Sequence, residues 1–323
     1  MAVSPPASDL SSLTNPVTIA FFNPMDRAWP PTPDSCASPA VFTHDRDALA
    51  TADAVVFHLP NLDHRAFAAL RKPRRQLWVG WSMESPVMHP QLRSPQLRRR
   101  LDLSMTYERG SDVWYPYLFP SVLRELLQPP PPKTRDAPAV WLQSNANDRS
   151  GRKAYAAELS RRIWVHSYGD VARNREERIP RGRRFEVELY GQYKFTLAFE
   201  NSIAPDYITE KFWYPLAAGS VPVYRGTADI VDFAPSDRCY IDTRDFSSAT
   251  ELGEYLDHLD RHDDEYAKYH TWRSEGLSAS FTALLDRVQE PTWCRLAAAV
   301  AARHSRSRRA FGRPRRPPDT PRT

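Results

Sequence analysis

The stretch FTLAFENSIAPDYITEKFWYPLAAGSVPVYRG, residues 195–226, combines an apolar run, a polar loop, an amphipathic segment and a second apolar run. Residues 195–200 read as a buried strand, 207–218 as a helix and 221–224 as the next strand. A strand, a crossing helix and another strand make a parallel βαβ unit. Asp206 is a good N-cap for that helix. The helix start offers unpaired N–H groups and partial positive charge, and Lys211 adds a full charge, so together they suit a diphosphate. Glu210 would repel phosphate and suits sugar hydroxyls or a developing cation instead. The same residues also describe an ordinary capped helix with an exposed Glu-Lys pair.

The alternation continues outward from this stretch. Upstream, residues 140–144 predict a strand and 150–162 a helix with Tyr155, Leu159 and Ile163 on one stripe. Residues 163–168 predict a strand ending at Gly169, and amphipathic helices are expected at 249–259 and 264–271. In the first half, VTIAFF (17–22), AVVFHL (54–59) and LWVGW (77–81) are short apolar runs of the buried-strand type. A helix fits between the last two, at 63–70, and residues 106–117 are mixed. Residues 92–103 read as an amphipathic helix whose basic face, 98–100, is solvated. QPPPPKTRDAP, at 128–138, cannot join a helix or a central strand, because consecutive prolines fix φ and lack donors. The expected division is a loose leader at 1–15, a lobe at 16–128, a Pro-rich linker at 129–138, a lobe at 139–302 and a basic disordered tail at 303–323. Each lobe is α/β and Rossmann-like, with ligands at the carboxyl ends of the strands. No internal repeat is visible.

Composition bounds the function. The chain has 323 residues, 41% hydrophobic and 26% charged, enough apolar material for real cores. The net charge of +5 suggests nucleic acid until it is located. Eight arginines and one acid fall in 303–323, and the rest holds 36 bases against 38 acids, a net of −2. The basic segment is either solvated or a contact for an anionic membrane surface, and nucleic acid is not expected as a partner. No apolar run is long enough to span a bilayer, and residues 1–20 lack a signal-peptide layout. Cys36, Cys239 and Cys294 are too few and too scattered for a disulfide framework or a cysteine-based zinc site. The nine histidines show no paired ligand spacing, so no metal is expected.

Four segments resemble, in order, the Lewis-type α1,3-fucosyltransferases of glycosyltransferase family 10. The first stretch quoted resembles that family's FENS, DYITEK and AGxVPV run. LWVGWSMESP (77–86) resembles its W-x-x-x-ESP segment, and MTYERGSDVWYPY (105–117) its MTYRRDSD segment. WLQSNANDRSGRKAYAAELS (141–160) resembles its SN…R-x-x-Y…EL segment. The resemblance covers roughly 50–295. It implies the GT-B arrangement, two Rossmann-like lobes facing a cleft, with GDP-fucose as donor and no cofactor or metal. It further implies inverting transfer of L-fucose to the 3-hydroxyl, or the 4-hydroxyl, of an N-acetylglucosamine-type unit in a glycan or glycoconjugate. Golgi members would lie in that compartment, whereas a bacterial member would be cytoplasmic or membrane-peripheral. Another nucleotide-sugar transferase, or an inactive glycan-binding relative, remains open.

The resemblance places Glu84 as the general base on the acceptor side, a role that suits a carboxylate shielded from water. Arg152 would grip pyrophosphate with its fork of donors, although Arg149 and Lys153 nearby leave the register open by one turn. Ser144, Asn145, Asn201, Tyr207, Glu210 and Lys211 would hold fucose, ribose and phosphate, and Glu210 also counts as a catalytic candidate. Tyr107 either lines the same site or is core. Pro215 stands where an Asn is common and is expected to kink its helix. Ala297 replaces the second cysteine of a local Cys-x-x-Cys, putting that disulfide in doubt. Asp45 and Asp47 have the Asp-x-Asp form but fit a solvated loop better. His58, at a strand end, either touches acceptor or is structural.

Overall fold

The computed structural model describes residues 16–25, 33 and 36–311. The expected leader at 1–15 and residues 312–323 of the expected tail lie outside them. Packing divides the chain into two compact units. One holds the residues up to Trp81, Pro95–Met105 and those from Pro291 onward, and the other holds Ser82–Ser94 and Thr106–Glu290.

In the first unit, β1 (Val17–Phe21), β2 (Ala40–Thr43), β3 (Ala54–His58), β4 (Leu77–Ser82) and β5 (Leu103–Thr106) lie in the order β2-β1-β3-β4-β5. β1 pairs in parallel with β2 and β3, and β3 with β4. β3 is buried at every position, as a parallel strand covered on both faces must be. The direction of strand order reverses between β1 and β3, which makes the sheet doubly wound. Asp63 accepts from the Arg65 and Ala66 amides and so starts the helix His64–Ala69.

The helix expected over 92–103 does not form. The chain makes two short turns, Pro90–Arg93 and Pro95–Arg98, and enters β5 at Leu103. Pro95 is the cause, because it holds Ser94 extended (φ −58°, ψ 121°) and interrupts any helix there. Arg100 is not solvated either. It donates to the Ala68 and Leu70 carbonyls and lies over the Phe67 and Trp78 rings.

The helix Thr292–Phe311 packs against β1, with Trp293 edge-on to Phe21 at 5.3 Å. Residues 303–311, expected as loose tail, therefore continue a helix. Cys294 is bonded to Cys36, 258 positions away. Two of the three cysteines thus pair, because that helix returns to the strand at the start of the unit, while Cys239 is a buried free thiol and no wider disulfide framework forms among the described residues.

The second unit contains the short β6 (Val113–Trp114) and a five-stranded sheet. Its strands are β7 (Ala139–Trp141), β8 (Val165–Ser167), β9 (Phe195–Phe199), β10 (Val221–Arg225) and β11 (Ile241–Asp242), in the order β11-β10-β9-β7-β8. Its strand pairs are parallel. Along β9, Phe195, Leu197 and Phe199 point to the face covered by the helices Arg152–Leu159 and Ala249–Arg261. Ala198 points to the opposite face, with Phe212 and Leu216 of the helix Glu210–Ala218. That helix runs through Pro215 and closes on Gly219, whose φ of +74° suits glycine.

The run at 128–138 lies within this unit and is pinned to it. A Cβ on Gly219 would come within 2.8 Å of Pro130 Cα, so the prolines pass directly over the helix end. Lys133 donates to the Gly191 and Gly219 carbonyls at 3.1 and 2.6 Å. Arg273 donates to the carbonyls of Leu126, Gln128 and Leu216. Two cations thus sit where three helices end, and the negative helix termini offset their burial. Burial, helped by Arg273, still lowers the Lys133 pKa to about 8.

Candidate active site

The residues expected to carry chemistry come together within the second unit. The helix after β9 begins at Glu210 and is capped by Thr209, whose hydroxyl accepts from the Lys211 amide at 3.4 Å. Asp206 is not the cap. Its φ is +58°, and its carboxylate accepts from the Arg109 amide and Nε, both at 2.8 Å. Arg109 also reaches Asp232 at 2.8 Å and lies over the Phe233 ring. Burial works against the Arg109 charge, but these two carboxylates win and raise its pKa. A left-handed non-glycine residue carries strain, held here by ion pairing and by the Asp206 amide donating to Asp229.

Lys211 Nζ donates to Glu210 at 2.7 Å and to Thr209 Oγ1 at 3.2 Å, and both charged residues are half-buried. Burial opposes both charges. Each is nonetheless held ionised by the other, so the Glu210 pKa is lowered and that of Lys211 raised.

Glu84 follows β4 in the Ser-Met-Glu-Ser-Pro turn. Its amide donates to Ser82 Oγ, which donates back to the Glu84 carbonyl. Ser85 Oγ lies 2.6 Å from Ser202 Oγ, and Tyr117 Oη donates to the Met83 carbonyl at 2.6 Å. These bonds tie the Glu84 turn to the Asn201–Ser202 corner. Tyr207 Oη, 3.4 Å from Glu84 Oε2, donates to the candidate base. The Tyr207 ring is edge-on to Tyr107 at 4.9 Å and to Tyr117 at 6.3 Å. Tyr107 is 2% exposed, and its Oη is buried with no hydrogen-bond partner among the described residues. It is thus both core and site lining.

Arg152 lies under the loop that leads to its helix. It is fully buried, and its guanidinium donates to the carbonyls of Phe199, Asn145 and Asn147 at 3.1, 3.0 and 2.8 Å. Burial lowers its pKa against the pull of Asp148 and Glu200. Asp148 accepts from the amides of Ser150, Arg152 and Lys153, so the helix start is already occupied by a carboxylate. Arg149 is exposed, and its amide donates to the Asn201 carbonyl at 2.7 Å. Ser144 and Asn145 are exposed at the rim of this loop.

Several groups stand apart or were missed. Asp45 and Asp47 bond only within their own exposed turn, and His58 is buried against Trp81. Among the described residues no cluster of three or more His, Cys, Asp or Glu could hold a metal. None of their helices is long and apolar enough to cross a membrane. Arg109, Thr209, Tyr117 and Glu200 escaped sequence reasoning. Thr209 had a signal, since it precedes Glu-Lys where a cap would stand.

The comparisons with known proteins agree with this architecture. The family described as "Fucosyltransferase, N-terminal" matches residues 15–118, and "Glycosyltransferase family 10 (fucosyltransferase) C-term" matches residues 132–311. "GDP-fucose protein O-fucosyltransferase 3" from Gallus gallus is 41% identical over 169 residues, 50% of this chain and 35% of that protein. The Homo sapiens protein of the same name is 39% identical over 167 residues, with the same shares. A "Putative fucosyltransferase-like protein" of Arabidopsis thaliana is 36% identical over 240 residues, 74% of this chain and 45% of that one. The chain thus spans less than half the length of these relatives. An α1,3-fucosyltransferase crystallised with GDP-fucose superposes with a TM-score of 0.61 at 14% identity, covering 93% of this chain and 94% of that one. Two Rossmann-like α/β units of this kind are the fold of the GT-B class. Within that class, the chain belongs to glycosyltransferase family 10.

Proposed function

We propose that the chain transfers L-fucose from GDP-β-L-fucose to an acceptor hydroxyl with inversion. The acceptor oxygen attacks the anomeric carbon, the bond to the diphosphate breaks, and Glu84 takes the hydroxyl proton. Lys211 and the helix start beside it meet the charge growing on the leaving GDP, so this reading needs no metal or other cofactor. Asn201 and Glu210 face the sugar or ribose, and Ser144, Asn145 and Arg152 form or support the phosphate loop. The observation that carries the reading is the contact of Tyr207, from the DYITEK segment, with the Glu84 carboxylate, which unites the motifs for donor and base.

The acceptor favoured here is a serine or threonine hydroxyl of a protein, because relatives near 40% identity are named protein O-fucosyltransferases. The 3-hydroxyl of an N-acetylglucosamine-type unit is the second reading, supported by the motif order shared with Lewis-type enzymes. The Cys36–Cys294 bond favours work in an oxidising compartment of the secretory pathway. The test supplies GDP-fucose with folded protein acceptors in one arm and N-acetylglucosamine-terminated glycans in the other. Readouts are GDP release and a mass gain of one fucose. Fucose removed from the protein by alkaline elimination supports the first reading, transfer only to glycan supports the second, and transfer to neither overturns both.

A further inference from the structure

The loop between β9 and the helix Glu210–Ala218 begins with a carboxylate that the reaction above leaves unused. Glu200 is fully buried. Its amide donates to the Arg225 carbonyl at 2.9 Å, and its own carbonyl accepts from Ser150 Oγ at 2.5 Å, so its backbone is fixed from both neighbouring segments. Its carboxylate accepts twice from one residue at the far end of the loop, from Thr209 N at 2.7 Å and Thr209 Oγ1 at 2.9 Å. Burying a carboxylate costs several kcal/mol unless partners offset it, and an apolar contact would close the same loop without that cost. The carboxylate does something an apolar contact cannot. By accepting the Thr209 hydroxyl proton it leaves the lone pairs of that hydroxyl for Lys211, whose amide and Nζ both donate to Oγ1.

We propose that Glu200 is a positioning residue for the donor. Through Thr209 it closes the loop 201–208 and sets the direction of the Lys211 ammonium that meets the diphosphate. The proposal rests on reading the chain as a GDP-fucose enzyme. Burial pushes the Glu200 pKa up to about 7, with Glu210 adding to the rise and Lys211 opposing it. The carboxylate is therefore held where water would not choose to leave it.

The experiment compares the full chain with Glu200→Gln, Thr209→Val, Thr209→Ser and Lys211→Ala, reading GDP affinity by calorimetry, thermal midpoint, and KM for GDP-fucose apart from KM for acceptor. Glu200→Gln places an amide donor against Oγ1 and reverses its polarity. Glu200→Gln and Thr209→Val should each weaken GDP binding about tenfold or more, as expected for a misdirected charge-assisted contact. Acceptor KM should stay within about twofold, and Thr209→Ser should recover GDP affinity to within about threefold of the parent, at the tight end of the same scale. If Glu200→Gln fails to fold, the Val and Ser pair decides alone, and equal GDP affinity in those two overturns the proposal. GDP binding lost in Lys211→Ala but kept in Glu200→Gln and Thr209→Val also overturns it, while leaving the GDP-fucose reading intact. A parent chain that binds no GDP overturns that reading and the proposal with it.

Discussion

Replacing Arg152 by Met asks whether the buried guanidinium serves the loop above it. Met fills most of the same space and removes all the donors. The Phe199 carbonyl sits at the end of a strand buried at every position, so losing its donor should cost about 1–3 kcal/mol. The carbonyls of Asn145 and Asn147 belong to exposed residues, and water can replace the guanidinium there at less than that cost. Removing a buried charge gives part of this back, since burial already disfavours the protonated form. The balance is a loss of about 2–4 kcal/mol. At a few degrees per kcal/mol, the thermal midpoint should fall by roughly 5–15 °C. Calorimetric melting of the parent and Arg152→Met chains measures this, and limited proteolysis should show the loop 144–151 cut faster. Arg152→Lys should recover little, because one ammonium cannot span three carbonyls. A Met variant that melts within a degree of the parent would refute the assignment of Arg152 to the loop and return it to the diphosphate.

Glu84→Gln should fold, keep its GDP affinity and lose about 10²-fold in kcat, and turnover within a few-fold of the parent would place the base elsewhere. The folded-state pKa of Glu200 lies above its ordinary value of 4.5, so its contribution to stability is complete below that value and fades as pH rises toward 7. Across that window the parent should lose about 3 kcal/mol relative to Glu200→Gln in urea titrations, and parallel pH profiles would contradict this. Changing Cys36 and Cys294 to Ser should lower stability by about 2–5 kcal/mol, and a parent indifferent to reductant would show that the bond adds nothing. Truncation after Phe311 removes four arginines, so salt-sensitive binding to anionic vesicles should weaken, and equal sedimentation with and without them would exclude a membrane role.

The strands are legible because parallel strands buried on both faces are written as near-continuous apolar runs, and FTLAF and AVVFH need no context. β2 was missed because AVFT is only half-buried and lies at the edge of its sheet. The donor helix was found but started three residues early, since Asp206 and Thr209 are both capping types and only the Arg109 contact decides between them. Glu84, Tyr207, Glu210 and Lys211 could be picked from their segments. What they touch could not, because the Tyr207–Glu84 approach links residues 123 apart. For Arg152 too, the contacts are what the sequence leaves unsaid. The resemblance implies a phosphate ligand there, but a matching motif does not report that three local carbonyls already take its donors.

The disulfide and the helix that carries it make the first unit a structure that cannot be completed in order of synthesis. Trp293 supplies the aromatic edge against Phe21 and Trp81, and Cys294 closes on Cys36. A ribosome releases β1–β5 long before either residue exists, so that sheet must wait with one apolar side unprotected while Thr106–Glu290 emerges and folds. A chain stopped short of Pro291 would keep the site described above but leave Cys36 as a free thiol beside an open aromatic face. Such a fragment should aggregate even though its second unit is whole.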